Sequence, residues 1–191
     1  GIIGSLLKYN SKPVSKNIIR TSNKEFRPTK PIIGIIGAGN FTSATTIPSL
    51  QINNAQIKTI SSAGGLTATN LAKKAGIPNV TTDYFEILND DEITTVLINT
   101  RHDLHFQMII DYLKANKNIL VEKPMALSLE EIDNIREVYN ESKSSLNVGF
   151  NRRFSPFSKK IKSLLSEGPC NIVATMNAGF IPPNTWVQDL E

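Results

Sequence analysis

The stretch Ile32-Ile33-Gly34-Ile35-Ile36-Gly37-Ala38-Gly39-Asn40-Phe41-Thr42 most limits what this chain can fold into. A β-branched apolar run stops at Gly-Ala-Gly, and a segment compatible with a helix follows. Such a run suits a central parallel strand covered on both faces. Gly37 suits a tight turn, and Gly39 lets the backbone approach a ligand closely. The N–H groups that open the following helix then form an anion site. Strand, Gly-x-Gly turn and helix in this order are the layout that holds a dinucleotide pyrophosphate. Thr42 stands where the third glycine of that pattern falls, so the stretch by itself also fits an ordinary strand-to-helix turn. The remaining chain has to supply the context.

That context is a regular alternation. Strands are predicted at Ile32–Ile36, Ala55–Ser61, Val80–Thr82, Thr94–Asn99, Asn118–Val121 and Leu146–Phe150. Helices are predicted at Thr42–Leu50, Thr67–Ala75, His102–Asn116 and from Ser128 to about Glu141, with a helical turn at Tyr84–Leu88. Asn40 is expected to cap the first helix, Asp83 the turn, and Ser128 with Glu131 to form a capping box. Gly76 and Pro78 stop the second helix. The pattern predicts an α/β fold: a Rossmann-type doubly wound parallel sheet over 32–150. Residues 1–31 read as a leading segment, with a linker from Pro13 to Pro31 and a strand-like patch at Ile2–Tyr9. Residues 151–191 read as the beginning of an incomplete α/β substrate domain, with a helix at Pro156–Leu165 and a strand at Asn171–Ala178.

Composition excludes several classes. The chain has 191 residues with 40% hydrophobic and 20% charged, as a globular protein requires. No apolar stretch has the length of a membrane span, and the first residues lack the basic region and apolar core of a secretory signal. The single cysteine, Cys170, permits no internal disulfide, which fits a reducing cytoplasm. The net charge of +4 is unevenly placed: residues 1–31 carry seven basic side chains and one acidic, leaving fourteen basic and sixteen acidic for the remainder. The basicity belongs to the leading segment, and with no recognition motif beside it, it reads as a solvated linker rather than a nucleic-acid surface. No cluster of His, Cys and carboxylates has a metal-ligand spacing.

In an open parallel sheet, ligands bind beyond the carboxyl ends of the strands. Four polar or glycine-rich loops fall there: Gly37-Ala38-Gly39, Ser61-Ser62-Ala63, Asn99-Thr100-Arg101-His102 and Glu122-Lys123-Pro124. Ser62 lies 25 residues after Gly37, where an acidic residue normally holds the adenosine ribose. Without that carboxylate a 2′-phosphate is not repelled, which favours NADP slightly over NAD, although no arginine adjoins Ser62. Lys123 is a cleft lysine that can polarise a substrate oxygen or hold a carboxamide, and Pro124 is a candidate for a cis peptide. His102 and His105 stand near a helix start, where each is either functional or simply packed.

Four segments together resemble the glucose–fructose oxidoreductase and inositol dehydrogenase (Gfo/Idh/MocA) family. They are Ile35 to Phe41, Asn99 to His105, Asn118 to Pro124 with its Glu-Lys-Pro element, and Gly149 to Pro156. The resemblance covers about residues 32–189. It implies an N-terminal Rossmann domain for NAD or NADP and a C-terminal α/β domain for substrate and oligomer contacts, so that the full-length protein is expected to be a homo-oligomer. It implies hydride transfer to or from a sugar, cyclitol or related hydroxyl carbon, with Lys123 matching the lysine that orients substrate and nicotinamide. By the same resemblance Gly37, Gly39, Asn40 and Phe41 match the pyrophosphate loop, and Thr100 and His105 match the loop that passes along the cofactor. Thr42, Ser62, Asn99, Arg101, Glu122 and Asn151, which lie in or beside these strand-end loops, are also expected to bind the cofactor. Trp186 and Gln188 match a loop near the nicotinamide end.

Arg101 departs from the family's usual proline, and Ser62 from its acidic residue. The family's catalytic histidine is expected some tens of residues after Trp186, beyond Glu191, so the expectation is a cofactor-binding portion of an oxidoreductase, inactive alone. The leading segment resembles the junction of fused proteins in which a medium-chain dehydrogenase precedes this domain. The competing expectation is a non-catalytic Rossmann module that binds nucleotide as a regulator or scaffold.

Overall fold

The computed structural model describes residues 17–27, 29–165, 167–175, 177 and 179–182. The chain divides into two compact units, 1–150 and 151–191. In the first unit, strands β1 (Ile18–Arg20), β2 (Ile32–Ile36), β3 (Gln56–Ser61), β4 (Asn79–Thr81), β5 (Thr95–Ile98), β6 (Asn118–Glu122) and β7 (Leu146–Gly149) form one sheet in the order β1-β4-β3-β2-β5-β6-β7. Every pairing is parallel except that of β1 with β4. From β4 to β7 this is the doubly wound Rossmann order, whose direction reverses between β2 and β5.

β2 explains why the sheet is covered on both sides. All five of its residues are buried. Ile33 and Ile35 join one apolar cluster with Ile47, Ile57, Ile60, Ala68 and Ala72. Ile32 and Ile36 join a second cluster with Ile98, Met108, Ile109, Tyr112 and Ile135. Alternation along one strand therefore feeds two cores. The first lies beneath α1 (Ile47–Ile52) and α2 (Leu66–Ala75). The second lies beneath α4 (His105–Lys114) and α5 (Leu129–Glu141), with α3 (Phe85–Leu88) contributing Ile87. Each fully buried isoleucine contributes about 1.5–3 kcal/mol.

The end signals act largely as expected. Gly76 closes α2 in the left-handed conformation at φ 68°. Asp83 Oδ1 accepts the Phe85 N–H at 2.9 Å. Ser128 Oγ accepts the Glu131 N–H at 3.1 Å, while Glu131 reaches back to the Leu127 N–H at 2.7 Å. Asn40 departs from expectation. It is already helical and makes no side-chain cap; the Ser43 N–H donates to Gly39 O at 3.0 Å, so the helix begins one residue earlier. The turn Thr42–Thr46 is π-helical and leads into α1 with Pro48 in its first turn. A proline in a continuous α-helix clashes with the carbonyl four residues back, and the wider π turn sits immediately before it.

The leading segment is the main correction. Residues 17–27 are not a solvated linker but a strap on the sheet edge. β1 pairs with β4, and the Thr21 N–H donates to Pro78 O at 2.6 Å. Arg27 and Gln56 exchange two hydrogen bonds, Arg27 N–H to Gln56 Oε1 at 2.6 Å and Gln56 Nε2 to Arg27 O at 2.9 Å. Phe26 packs against the second core. The patch Ile2–Tyr9 lies outside the described residues.

In the second unit, Asn151–Phe154 form a 3₁₀ turn and α6 spans Pro156–Leu164, capped by Ser155 Oγ accepting the Ser158 N–H at 3.1 Å. The strand expected at Asn171–Ala178 is not formed over 171–175, where the described backbone is irregular.

Gly34 gives a direct test of the packing. A Cβ on it would lie 2.4 Å from Ile87 Cγ2, the branch of a fully buried side chain that has no room to turn. Gly34→Ala is expected to destabilise the domain by about 1–3 kcal/mol, read as a lower urea midpoint with an unchanged slope.

Candidate functional site

The reversal between β2 and β5 places the loops that follow them side by side. Gly37 has φ 97°, open to glycine, and a Cβ there would lie 2.4 Å from Asn99 O. The contact is drawn tight by the Asn99 N–H donating to Ile36 O and the Gly37 N–H donating to Ser61 O, both at 2.8 Å. Gly39 behaves differently: a Cβ on it would meet nothing within 4 Å. Its requirement is not set by the protein's own packing, and the space over it is where a pyrophosphate would approach. Asn40 and Phe41 follow it, both exposed, at the start of the helix. The N–H groups of a helix's first turn have no partner within the helix. Open space over Gly39 and a first turn directed at it fit a dinucleotide phosphate.

Thr42 shows what stands in for the third glycine. It is completely buried, and its hydroxyl donates to Gly37 O at 2.7 Å. Thr42 Oγ1 also accepts from Asn99 Nδ2 at 3.1 Å, and Asn99 Nδ2 donates as well to Thr46 Oγ1 at 3.1 Å. Thr42 and Asn99 thus hold the turn from below, and Thr46 is a third member that the sequence did not single out.

Ser62 lies half-buried just beyond β3. Its N–H donates to Thr81 O at 3.1 Å, and its carbonyl accepts from the Gly65 N–H at 2.9 Å. It therefore stands at the carboxyl edge of the sheet, next to the β2 loop. Thr100 is half-buried and Arg101 exposed after β5.

His105 is a brace. It is fully buried, with Nδ1 2.7 Å from Pro124 O and Nε2 3.2 Å from Thr100 O. Its ring ties the loop after β5 to the loop after β6, where the Lys123–Pro124 peptide is cis. Lys123 is exposed beside this brace, and Glu122 is half-buried. A Cβ on Gly149 would come 2.7 Å from Glu122 Oε1, so the glycine at the end of β7 makes room for that carboxylate. No sequence signal marked Gly149 for this purpose. His102 sits next to His105, with ring centroids 5.9 Å apart. Burial first, then the charges of His105 and Lys123, hold the His102 imidazole below its ordinary value of 6.5.

The structure thus brings Gly37, Thr42 and Asn99 into one contact set and Thr100, His105 and the Lys123–Pro124 peptide into another, on the same edge as Ser62. Asn151 belongs to the second unit, where it is exposed. Trp186 and Gln188 lie outside the described residues. Among the described residues no group of three or more His, Cys, Asp or Glu is placed to hold a metal, and no helix is long and apolar enough to cross a membrane.

Residues 32–150 match the oxidoreductase family with an NAD-binding Rossmann fold, and the chain belongs to that family, Gfo/Idh/MocA. An uncharacterised oxidoreductase, YrbE of Bacillus subtilis, is 36% identical over 141 residues, covering 73% of this chain and 41% of YrbE. The myo-inositol 2-dehydrogenase of Thermotoga maritima is 29% identical over 136 residues, covering 71% of this chain and 41% of that protein. Among solved structures, levoglucosan dehydrogenase in complex with NADH and levoglucosan superposes with a TM-score of 0.61 at 27% identity, over 70% of this chain and 40% of that one. The chain spans about two-fifths of the length of these relatives.

The His102 environment is open to measurement. By proton NMR its imidazole is expected to titrate below 6.5, and Lys123→Met is expected to raise the midpoint by removing a nearby positive charge. Because the folded value is depressed, the unfolded chain binds more protons below pH 6.5, so this group lowers stability as the pH falls through that range. An unmoved midpoint in the variant would separate Lys123 from His102.

Proposed function

We propose that this chain is the cofactor-binding part of an NAD(P)-dependent oxidoreductase that moves hydride to or from a sugar, cyclitol or related hydroxyl carbon. The observation that carries the reading is the edge at β2 and β5, where Gly37 closes the turn and Gly39 leaves open space before a helix start. Gly39, Asn40 and Phe41 bind the pyrophosphate through backbone N–H groups. Thr42 and Asn99 hold that backbone from beneath. Ser62 meets the adenosine ribose, and since it carries no charge to oppose a 2′-phosphate, NADP is preferred.

The nicotinamide, when bound, supplies or accepts the hydride. The residues of the chain position it and the substrate. Thr100 and Arg101 line the passage beside the cofactor, with Glu122 at the end of β6. Lys123 is the group placed for chemistry: its exposed ammonium donates to the substrate oxygen and stabilises the negative charge that grows there during transfer. His105 keeps the Lys123–Pro124 peptide in place through the Pro124 carbonyl. The full-length protein is read as a cytoplasmic homo-oligomer.

Relatives named for inositol and levoglucosan support a polyhydroxylated substrate class. A non-catalytic nucleotide-binding module is the alternative, and Thr42 no longer favours it, because its hydroxyl supports the turn rather than disrupting it.

Full-length protein is expected to reduce NADP with myo-inositol or a related polyol, and Lys123→Met to lower kcat by about 100-fold or more while dinucleotide affinity is kept. Ser62→Asp is expected to weaken NADPH binding at least about tenfold relative to NADH, through like-charge repulsion. Tight dinucleotide binding without turnover of any polyol would favour the non-catalytic module, and unchanged selectivity in Ser62→Asp would remove Ser62 from the ribose site.

A further inference from the structure

The strap formed by the leading segment borders an open cleft of about 570 Å³ at the amino edge of the sheet, opposite the loops proposed to hold the dinucleotide. Arg20, Lys24, Phe26, Lys58, Asn79 and Glu92 are among its lining. We propose that this cleft is a second ligand site, for a small organic oxyanion such as a carboxylate or a phosphate monoester.

Three observations carry the assignment. Arg20 and Asn79 are direct partners across the antiparallel pair β1–β4. Residues paired in this way put their side chains on the same face of the sheet, about 5 Å apart. An arginine and an asparagine therefore leave the sheet side by side, and both line the cleft.

The second observation concerns Asn79 itself. It is only 8% exposed, and its carboxamide makes no hydrogen bond to any described residue. Among the described residues the only fully sealed side-chain polar atom without a partner is Ser144 Oγ, so the Asn79 amide retains its exposure through the cleft it lines. In the cleft its Nδ2 can donate to a ligand oxygen.

The third is charge. Lys58 Nζ is neutralised by Asp90 at 2.6 Å and by Glu92. Lys117 Nζ fixes the same loop by donating to the carbonyls of Asp90 and Ile93, each at 2.7 Å. The acidic groups on that side are thus already engaged. Arg20 and Lys24 have no carboxylate within ion-pair distance among the described residues. The Lys58–Asp90–Glu92 cluster and Glu25 balance Arg20 and Lys24 in formal charge, but among the described residues Arg20 and Lys24 are the lining cations not held by a carboxylate, and they are the groups an oxyanion would meet. Phe26, packed on the core behind it, supplies an apolar floor for the carbon part of the ligand.

The test is a thermal-melt series on the full chain, at constant ionic strength, with sodium phosphate, sodium succinate or sodium chloride. Phosphate or succinate at ten times its Kd is expected to raise Tm by roughly 2 °C or more over chloride. The exposed double variant Arg20→Glu/Lys24→Glu is expected to abolish that rise while leaving the rise produced by NADPH intact. A response to phosphate alone identifies a phosphate ligand, and a response to succinate alone a carboxylate. No rise over chloride with either probe, or a rise that survives in the double variant, overturns the assignment. Asn79→Leu gives a second reading. It removes the amide without adding charge and is expected to weaken the response at least about tenfold in probe concentration if the variant folds, and the surface variants decide the matter if it does not.

Discussion

The contact between Gly37 and the Asn99 carbonyl governs the domain. At this point two parallel strands that lead in opposite directions through the fold lie side by side, and their loops must both turn away without colliding. A side chain on Gly37 would overlap the Asn99 backbone at 2.4 Å, and φ 97° is poorly tolerated by any residue with a Cβ. The glycine is thus fixed by the protein's own backbone. Thr42 and Asn99 then lock the turn through hydroxyl and amide hydrogen bonds, converting a flexible glycine loop into a rigid platform. Rigidity here has a functional use, because N–H groups that are already oriented lose little entropy when they meet an anion.

From that platform the other site residues follow by the geometry of a parallel sheet. Strand ends that share a direction share an edge, so Ser62, Asn99 to Arg101, and Glu122 with Lys123 come to the same side although they span 62 positions in sequence. His105 links two of these loops through their carbonyls. The Lys123–Pro124 peptide is held by this brace through the Pro124 carbonyl, and the glycine at the end of β7 leaves room for the neighbouring Glu122 carboxylate.

Much of this was legible in the sequence because its cause is local. The strand Ile32–Ile36 carries its own periodicity, and the strand–helix alternation left one topology class. Asp83, Gly76 and Ser128 with Glu131 each satisfy end groups a few residues away. What escaped has non-local causes. β1 is three residues long with Ile18 and Ile19 39% and 53% exposed, so it has no buried face to produce a pattern, and its existence depends on the edge of β4. Thr42 could be seen as a departure from the glycine pattern, but not as the donor that supports the turn, because its partners are Gly37 and Asn99. His105 could not be told from a cofactor contact by spacing alone. The cleft beneath the strap is assembled from four separate stretches and leaves no motif.

What fills the space over Gly39 decides where a cofactor binds. The most direct measurement is calorimetric titration of the full-length protein with NADPH, before and after Gly39→Val. The substitution meets no protein atom at its Cβ and requires no positive φ, so the melting temperature is expected to hold within about 2 °C. If a pyrophosphate lies against that backbone, the added side chain displaces it, and affinity is expected to fall by about 100-fold or more, the equivalent of 2.7 kcal/mol or so. A variant that folds and binds NADPH as tightly as the parent would contradict the placement of the cofactor on this edge.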